Sequence, residues 1–155
     1  MSPRRDSQMI AATTHTTSDP QRVIDVLRTP DSWPRWQPEI IATQGPAQVD
    51  VGDVVRGRAR MLGFGVDGHS TTTGVSHEMV REDVIVGVRM EVTYTVDPAD
   101  GGGSTITHNL ELHPLEGPAG TLLRILLLWR LKRMQRAALA LLVREVEGID
   151  PVGSR

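Results

Sequence analysis

GPAGTLLRILLLWRLKRMQRAALALLVREVE, residues 117–147, is the stretch on which the fold of this chain turns. Leu123, Leu127, Leu131, Met134, Ala138, Leu141 and Leu142 recur along it at helical spacing, the signature of one apolar face with a period of 3.6. The spacing predicts a single helix over roughly Gly120 to Glu147. At 1.5 Å per residue such a helix runs about 40 Å, enough to cross a whole small domain. Its first half carries more than the stripe requires. Leu122, Ile125, Leu126, Leu128 and Trp129 lie off that stripe and make the helix start apolar nearly all round, flanked by Arg124, Arg130, Lys132, Arg133 and Arg136.

A helix of this kind needs a partner face, and the residues before it supply one with a period of two. Val55, Ala59 and Met61 alternate with Arg56, Arg58 and Arg60 over 53–62, which predicts a half-buried strand. Met90, Val92, Tyr94 and Val96 alternate with Glu91, Thr93, Thr95 and Asp97, and Ser104–His113 returns with Ile106, His108, Leu110 and Leu112 on one face. DPADGGG at 97–103 between those two runs is a hairpin loop. Residues 8–17, 39–43 and 69–77 are further strands, with 63–68 a turn and 84–88 a possible short strand. Ser18-Asp19-Pro20 opens a short helix to about Arg28, and a second single turn carries Trp33 and Trp36 between Pro34 and Pro38. The order is strand, one or two short helices, about six strands and one long helix. That is an α+β domain, helices on one side of an antiparallel meander. It is expected to occupy 8–147, with 1–7 and 148–155 as flexible tails.

Composition narrows the function classes. The chain has 155 residues, 39% hydrophobic and 23% charged, with a net charge of −2, which suits one globular domain without bulk attraction to nucleic acid. Three Trp, one Tyr and one Phe are too few for a base-stacking platform. There is no cysteine, which excludes disulfides, thiolate metal sites and cysteine nucleophiles and fits a cytoplasmic location. The N-terminus is basic but lacks an apolar run after it, so it does not read as a secretory signal. His69 and His77 are eight positions apart, about 27 Å in an extended strand, and cannot share an ion. No metal and no cofactor are expected. Motifs for dinucleotide or phosphate loops and for a nucleophile elbow are missing.

The chain resembles the helix-grip superfamily of START-like, Bet v 1-like and polyketide cyclase/dehydrase-like proteins (SRPBCC). The resemblance is carried by SDPQRVIDVLRTPDSWPRWQPEI at 18–40, by VDVGDVVRGRARM at 49–61, and by TVDPADGGGSTITHNLEL at 95–112 followed by the long helix. It covers about residues 8 to 147, and its motifs are architectural rather than catalytic. It implies a curved antiparallel sheet of six to seven strands, two short helices and a long C-terminal helix packed across the sheet. It also implies a hydrophobic ligand (a lipid, an isoprenoid quinone or a polyketide) held between sheet and helix. The stretch 84–96 looks short for two full strands, so the fifth strand is expected to be truncated or merged.

Alternation and resemblance together give a candidate ligand-binding set: Trp36, Val55, Ala59, Met61, Met90, Val92, Tyr94, Ile106, His108, Leu110, Leu127, Leu131 and Met134. The plain alternative is that these side chains meet and fill the core. The small residues Gly57, Ala59 and Gly74 favour open volume. Tyr94 and His108 are the polar candidates, able to hydrogen-bond a ligand carbonyl or phenol, or else a satisfied core pair. No second inward carboxylate is evident to orient the histidine, so no catalytic residue is assigned. The inward side of 69–77 depends on the preceding turn: an odd loop turns in His69 and His77, an even loop Ser70, Thr72 and Gly74. Binding or carrying of a hydrophobic ligand leads. A cyclase or dehydrase acting on a polyketide-like carbonyl is the alternative, with a toxin–antitoxin-like interaction role third. The helix start is a candidate for peripheral membrane or homodimer contact.

Overall fold

The computed structural model describes residues 8–61, 63–114 and 118–148. The tail expected over 1–7, and all of that over 148–155 except Gly148, lie outside the described residues. Seven strands form one antiparallel sheet: β1 (Gln8–Thr16), β2 (Ile40–Gln44), β3 (Val54–Met61), β4 (Phe64–Val75), β5 (Met79–Val86), β6 (Val88–Pro98) and β7 (Ser104–Leu112). Their order is β1-β7-β6-β5-β4-β3-β2, a meander whose first strand returns to pair with the last. A short helix α1 (Pro20–Leu27), a 3-10 turn at Pro30–Ser32 and a single turn α2 (Trp33–Trp36) connect β1 to β2, and α3 (Pro118–Val146) closes the chain. This is the α+β helix-grip arrangement.

Local chemistry explains the elements. Asp19 caps α1 by accepting from the Arg22 N–H at 2.8 Å, with Pro20 at the first helical position, where its missing N–H costs nothing. Between β6 and β7, Gly103 sits at φ +76°, and a Cβ there would fall 2.1 Å from the Thr16 carbonyl oxygen. Only glycine fits that corner, where β1, β6 and β7 converge.

The core is the inward sheet face under α1, α2 and α3. Val55, Val80, Met90, Val92, Val96, Ile106, Leu110 and Leu112 come from the sheet, and Leu127, Leu131, Leu139 and Leu142 from α3. The C-terminal end of α3 is pinned. Glu147 Oε1 accepts from Thr16 Oγ1 at 2.8 Å and from the Thr17 N–H at 3.0 Å, and Ser18 and Arg22 both donate to the Val146 carbonyl. Arg35 pairs with Glu145 at 2.7 Å. The threonine hydrogen bonds hold the Glu147 carboxyl below its ordinary pKa.

Three expectations need correction. The fifth strand is neither truncated nor merged: β5 is eight residues long and pairs along its whole length with β6, turning at Gly87. Of the turn expected at 63–68, only Gly63 is turn and 64–68 belong to β4, because Met61 pairs with Phe64 across a two-residue loop. That even loop turns Ser70 and Thr72 inward and leaves His69 exposed. Leu123 is 40% exposed, so the buried stripe of α3 begins at Leu127, because the first turns of the helix run beyond the residues that cover its later ones.

Candidate functional site

Between the sheet and α3 lies a cavity of about 170 Å³. A closed apolar cavity near that size is known to accept a single aromatic ring. Its walls are Val55, Ala59 and Met61 from β3, Met90, Val92 and Tyr94 from β6, His108 and Leu110 from β7, and Leu131 and Met134 from α3. Trp36, Ile106 and Leu127 are not among the lining. Trp36 is buried edge-on against Tyr94, ring centroids 5.8 Å apart, with its indole N–H donated to Ser32 Oγ. Ile106 and Leu127 are core side chains, 0% and 2% exposed. Trp33 takes the place expected of Trp36 on the wall, anchored by its Nε1–H to the Leu27 carbonyl at 3.0 Å.

Gly57 and Gly68 face each other across the β3–β4 ladder and both line the cavity, their missing side chains letting neighbouring backbone approach closely. A Cβ on Gly57 would meet the Ala42 carbonyl at 3.0 Å and one on Gly68 the Ile85 carbonyl at 2.6 Å. Gly74 is outside the lining, and the Met79 side chain packs against its Cβ position.

Tyr94 and His108 sit directly opposite each other on β6 and β7, ring centroids 4.7 Å apart. Gln135, a polar residue on the inward face of α3, donates its amide to His108 Nδ1 at 2.7 Å. The same nitrogen reaches the carbonyl oxygens of His108 at 3.1 Å and Ile10 at 3.3 Å. Two carbonyls fix the amide with its NH₂ toward the sheet, since its oxygen would be repelled there. Nδ1 therefore accepts, and the imidazole is neutral with its proton on Nε2. Burial points the same way, pushing the imidazolium down to about 4.

The residue that sequence reasoning missed is Glu82. It stands inward in the middle of β5, 6% exposed, opposite Thr72 on β4 and Val92 on β6. Burial alone raises its carboxyl to about 8, so at neutral pH it is chiefly the uncharged acid. Its negative form would also oppose ionisation of Tyr94, whose hydroxyl is already pushed up by burial. Glu82 Oε1, Ser70 Oγ and Thr72 Oγ1 are buried without a hydrogen-bond partner among the described residues. Each such group costs about 1–3 kcal/mol. One signal could have revealed Glu82: it shares the parity of Val80, Val84 and Val86.

Glu39 also lines the cavity and pairs with Arg130 at 3.6 Å, while the β3 arginines stay outside. Arg56, Arg58 and Arg60 are exposed on the outer face of β3, Arg58 facing Asp67 at 3.4 Å. Among the described residues no group of three or more His, Asp or Glu could hold a metal ion, and no helix is long and apolar enough to cross a membrane. Leu122, Ile125, Leu126 and Trp129 are 53–64% exposed along the first half of α3.

Comparison with solved structures places this fold among relatives of low sequence identity. The Zhui aromatase/cyclase from Streptomyces sp. R1128 superposes with a TM-score of 0.80 at 13% identity, over 97% of this chain and 100% of that one. The protein TTHA0849 from Thermus thermophilus gives 0.78 at 18% identity, over 91% and 98%. A START superfamily protein from Mycobacterium smegmatis gives 0.68 at 15% identity, over 92% and 99%. These likenesses establish the fold alone. No curated protein sequence matches this chain. The family model for polyketide cyclase / dehydrase and lipid transport matches residues 8–147. The chain belongs to that family.

Proposed function

We propose that the protein binds or carries one small hydrophobic molecule, taking about one ring or an equivalent apolar segment of a lipid, an isoprenoid quinone or a polyketide into the cavity between sheet and α3. The observation that carries this reading is the cavity itself: about 170 Å³ inside an otherwise packed core, walled mainly by Val55, Met61, Met90, Val92, Leu110, Leu131 and Met134. Family membership supports it, since the family's description includes lipid transport as well as cyclisation. The ligand is held by burial, and Tyr94 and His108 set its orientation. Native mass spectrometry of freshly purified protein, before and after addition of an apolar ligand, tests this. A one-to-one adduct supports the reading; wild-type protein that takes up no apolar compound defeats it.

The first half of α3 is the surface by which such a carrier would meet a lipid bilayer. Its exposed Leu122, Ile125, Leu126 and Trp129 run into Lys132, Arg133 and Arg136, with the Arg133 guanidinium 5.1 Å from the Trp129 ring centre. Between residues 118 and 143 the sequence has five cationic side chains and no acidic one, in a chain of net charge −2. That local sign favours an anionic membrane surface over a second copy of the same cationic helix.

A second reading is a cyclase or dehydrase acting on a polyketide-like carbonyl. It draws on the placement of Tyr94 and His108 together on one cavity wall. A neutral His108 presenting Nε2–H suits it to donate a hydrogen bond to a carbonyl oxygen rather than to abstract a proton. That favours binding over acid–base catalysis.

A further inference from the structure

The polar groups of the cavity are not scattered. Thr72 and Glu82 are cross-strand partners on β4 and β5, and Ser70 lies two residues before Thr72 on the same inward face, opposite Val84. All three side chains belong to residues less than 8% exposed. Each has an oxygen without a hydrogen-bond partner among the described residues. Ser70 and Glu82 line the cavity, and Thr72 stands directly beside Glu82. At the β7 end, by comparison, Gln135 engages His108 Nδ1 and leaves Nε2–H as a donor.

We propose that Glu82, with Ser70 and Thr72, forms a recognition site for a neutral oxygen function (a phenol, alcohol or carbonyl) on an otherwise hydrophobic ligand. This deepens the binding reading above and rests on it. Two hydroxyls and an uncharged carboxyl are all both donors and acceptors, so together they match a group that itself donates and accepts. Burial holds Glu82 in that uncharged form near neutrality. Arg58 borders the cavity with its side chain on the outer face of β3, over half exposed and turned toward Asp67, and Arg130 is paired with Glu39, so neither supplies a counter-ion. A ligand carboxylate would meet no fixed positive charge, and a hydrocarbon would leave three oxygens unpaired.

The test compares toluene and phenol, which differ by a methyl for a hydroxyl, with benzylammonium as a cationic control. Affinities are measured by calorimetry on wild-type protein, Glu82→Leu and Glu82→Gln. Relative to toluene, phenol should bind Glu82→Leu about tenfold more weakly than it binds wild type, the worth of one hydrogen bond. Glu82→Gln, which keeps a donor and an acceptor, should retain phenol binding. Toluene binding by each variant at least as tightly as by wild type would show that each still folds with its cavity intact. If phenol loses no more than toluene in Glu82→Leu, the recognition site is refuted while the cavity reading stands. Benzylammonium binding wild type more tightly than phenol would also refute it, making Glu82 a counter-ion for amines. If no probe binds any of the three proteins, the cavity reading falls with it.

Discussion

Gln135 on α3 holds His108 on β7 through a 2.7 Å hydrogen bond to Nδ1, tying the closing helix to a sheet histidine on the cavity wall. The contact fixes the imidazole tautomer and leaves Nε2–H as its donor. Nitrogen-15 spectra of the histidine side chains should show one neutral ring protonated at Nε2 down to about pH 5, because burial lowers this imidazolium to about 4. Gln135→Leu leaves three acceptors without their donor and should cost about 1–3 kcal/mol in urea unfolding. An imidazolium signal for His108 at pH 6 would contradict this geometry.

Glu82 and His108 are both kept uncharged by burial, and their effects on stability have opposite signs. The Glu82 carboxyl rises from 4.5 to about 8 on folding. The folded chain then holds a proton that the unfolded chain has released, and stability falls as pH rises through that window. The His108 imidazolium drops from 6.5 to about 4. The unfolded chain then binds the extra proton, and stability is lost as pH falls through that range. The two nearly cancel between about 4.5 and 6.5. The melting temperature should be flat there, falling on the acid side from His108 and on the alkaline side from Glu82. Glu82→Gln should remove the alkaline fall, a stabilisation of a few kcal/mol near pH 8. Identical profiles for wild type and variant from pH 6.5 to 9 would rule out a buried neutral Glu82.

Gly103 is the position where the backbone permits no side chain. With φ at +76° and a Cβ position 2.1 Å from the Thr16 carbonyl, Gly103→Ala must displace β1 from the β6–β7 corner. The expected cost exceeds about 1 kcal/mol, more than a strained φ alone, and is read as a lowered midpoint in urea. Gly101→Ala, at φ +85° but with open space around its Cβ, should cost less.

The exposed apolar start of α3 predicts lipid binding that can be separated from folding. Wild-type protein should float with vesicles of phosphatidylcholine and phosphatidylglycerol and much less with phosphatidylcholine alone. Leu126→Glu and Trp129→Glu should abolish flotation, with stability changed by no more than about 0.5 kcal/mol because both side chains are over half exposed. Concentration-dependent sedimentation of wild type, lost in the same variants, would identify the face as a dimer contact instead.

The parts of this protein that follow a period were legible before the structure. Alternation in β3, β6 and β7 assigned the inward faces of Val55, Met90, Tyr94 and Leu110, and the helix stripe from Leu131 onward assigned the lid. What failed were positions where a polar residue occupies an apolar slot. MVREDVIV, the β5 sequence, alternates Val80, Glu82, Val84 and Val86 inward, but a carboxylate at the second slot hides the strand. That same concealment removed the carboxyl from view. Gln135 was hidden in the same way, between Leu131 and Leu139 at helical spacing on α3. Leu123 erred in the other direction: its spacing is that of the stripe, yet burial depends on where the partner face ends. Trp33 rather than Trp36 lies on the cavity wall, a choice a single helical turn carries no period to settle.

The central claim is that an apolar ligand occupies the space between sheet and helix. Toluene titrated by calorimetry into wild type, Leu110→Arg and Ala59→Phe tests it most directly, since both substituted positions line the cavity. Circular dichroism of each variant confirms that it is folded, and Ala59→Phe, which fills the space without adding charge, guards against a Leu110→Arg that does not fold. Saturable one-to-one binding to wild type, lost in folded variants, is the predicted result. Equal binding to wild type and folded Ala59→Phe would place the probe elsewhere and contradict the account.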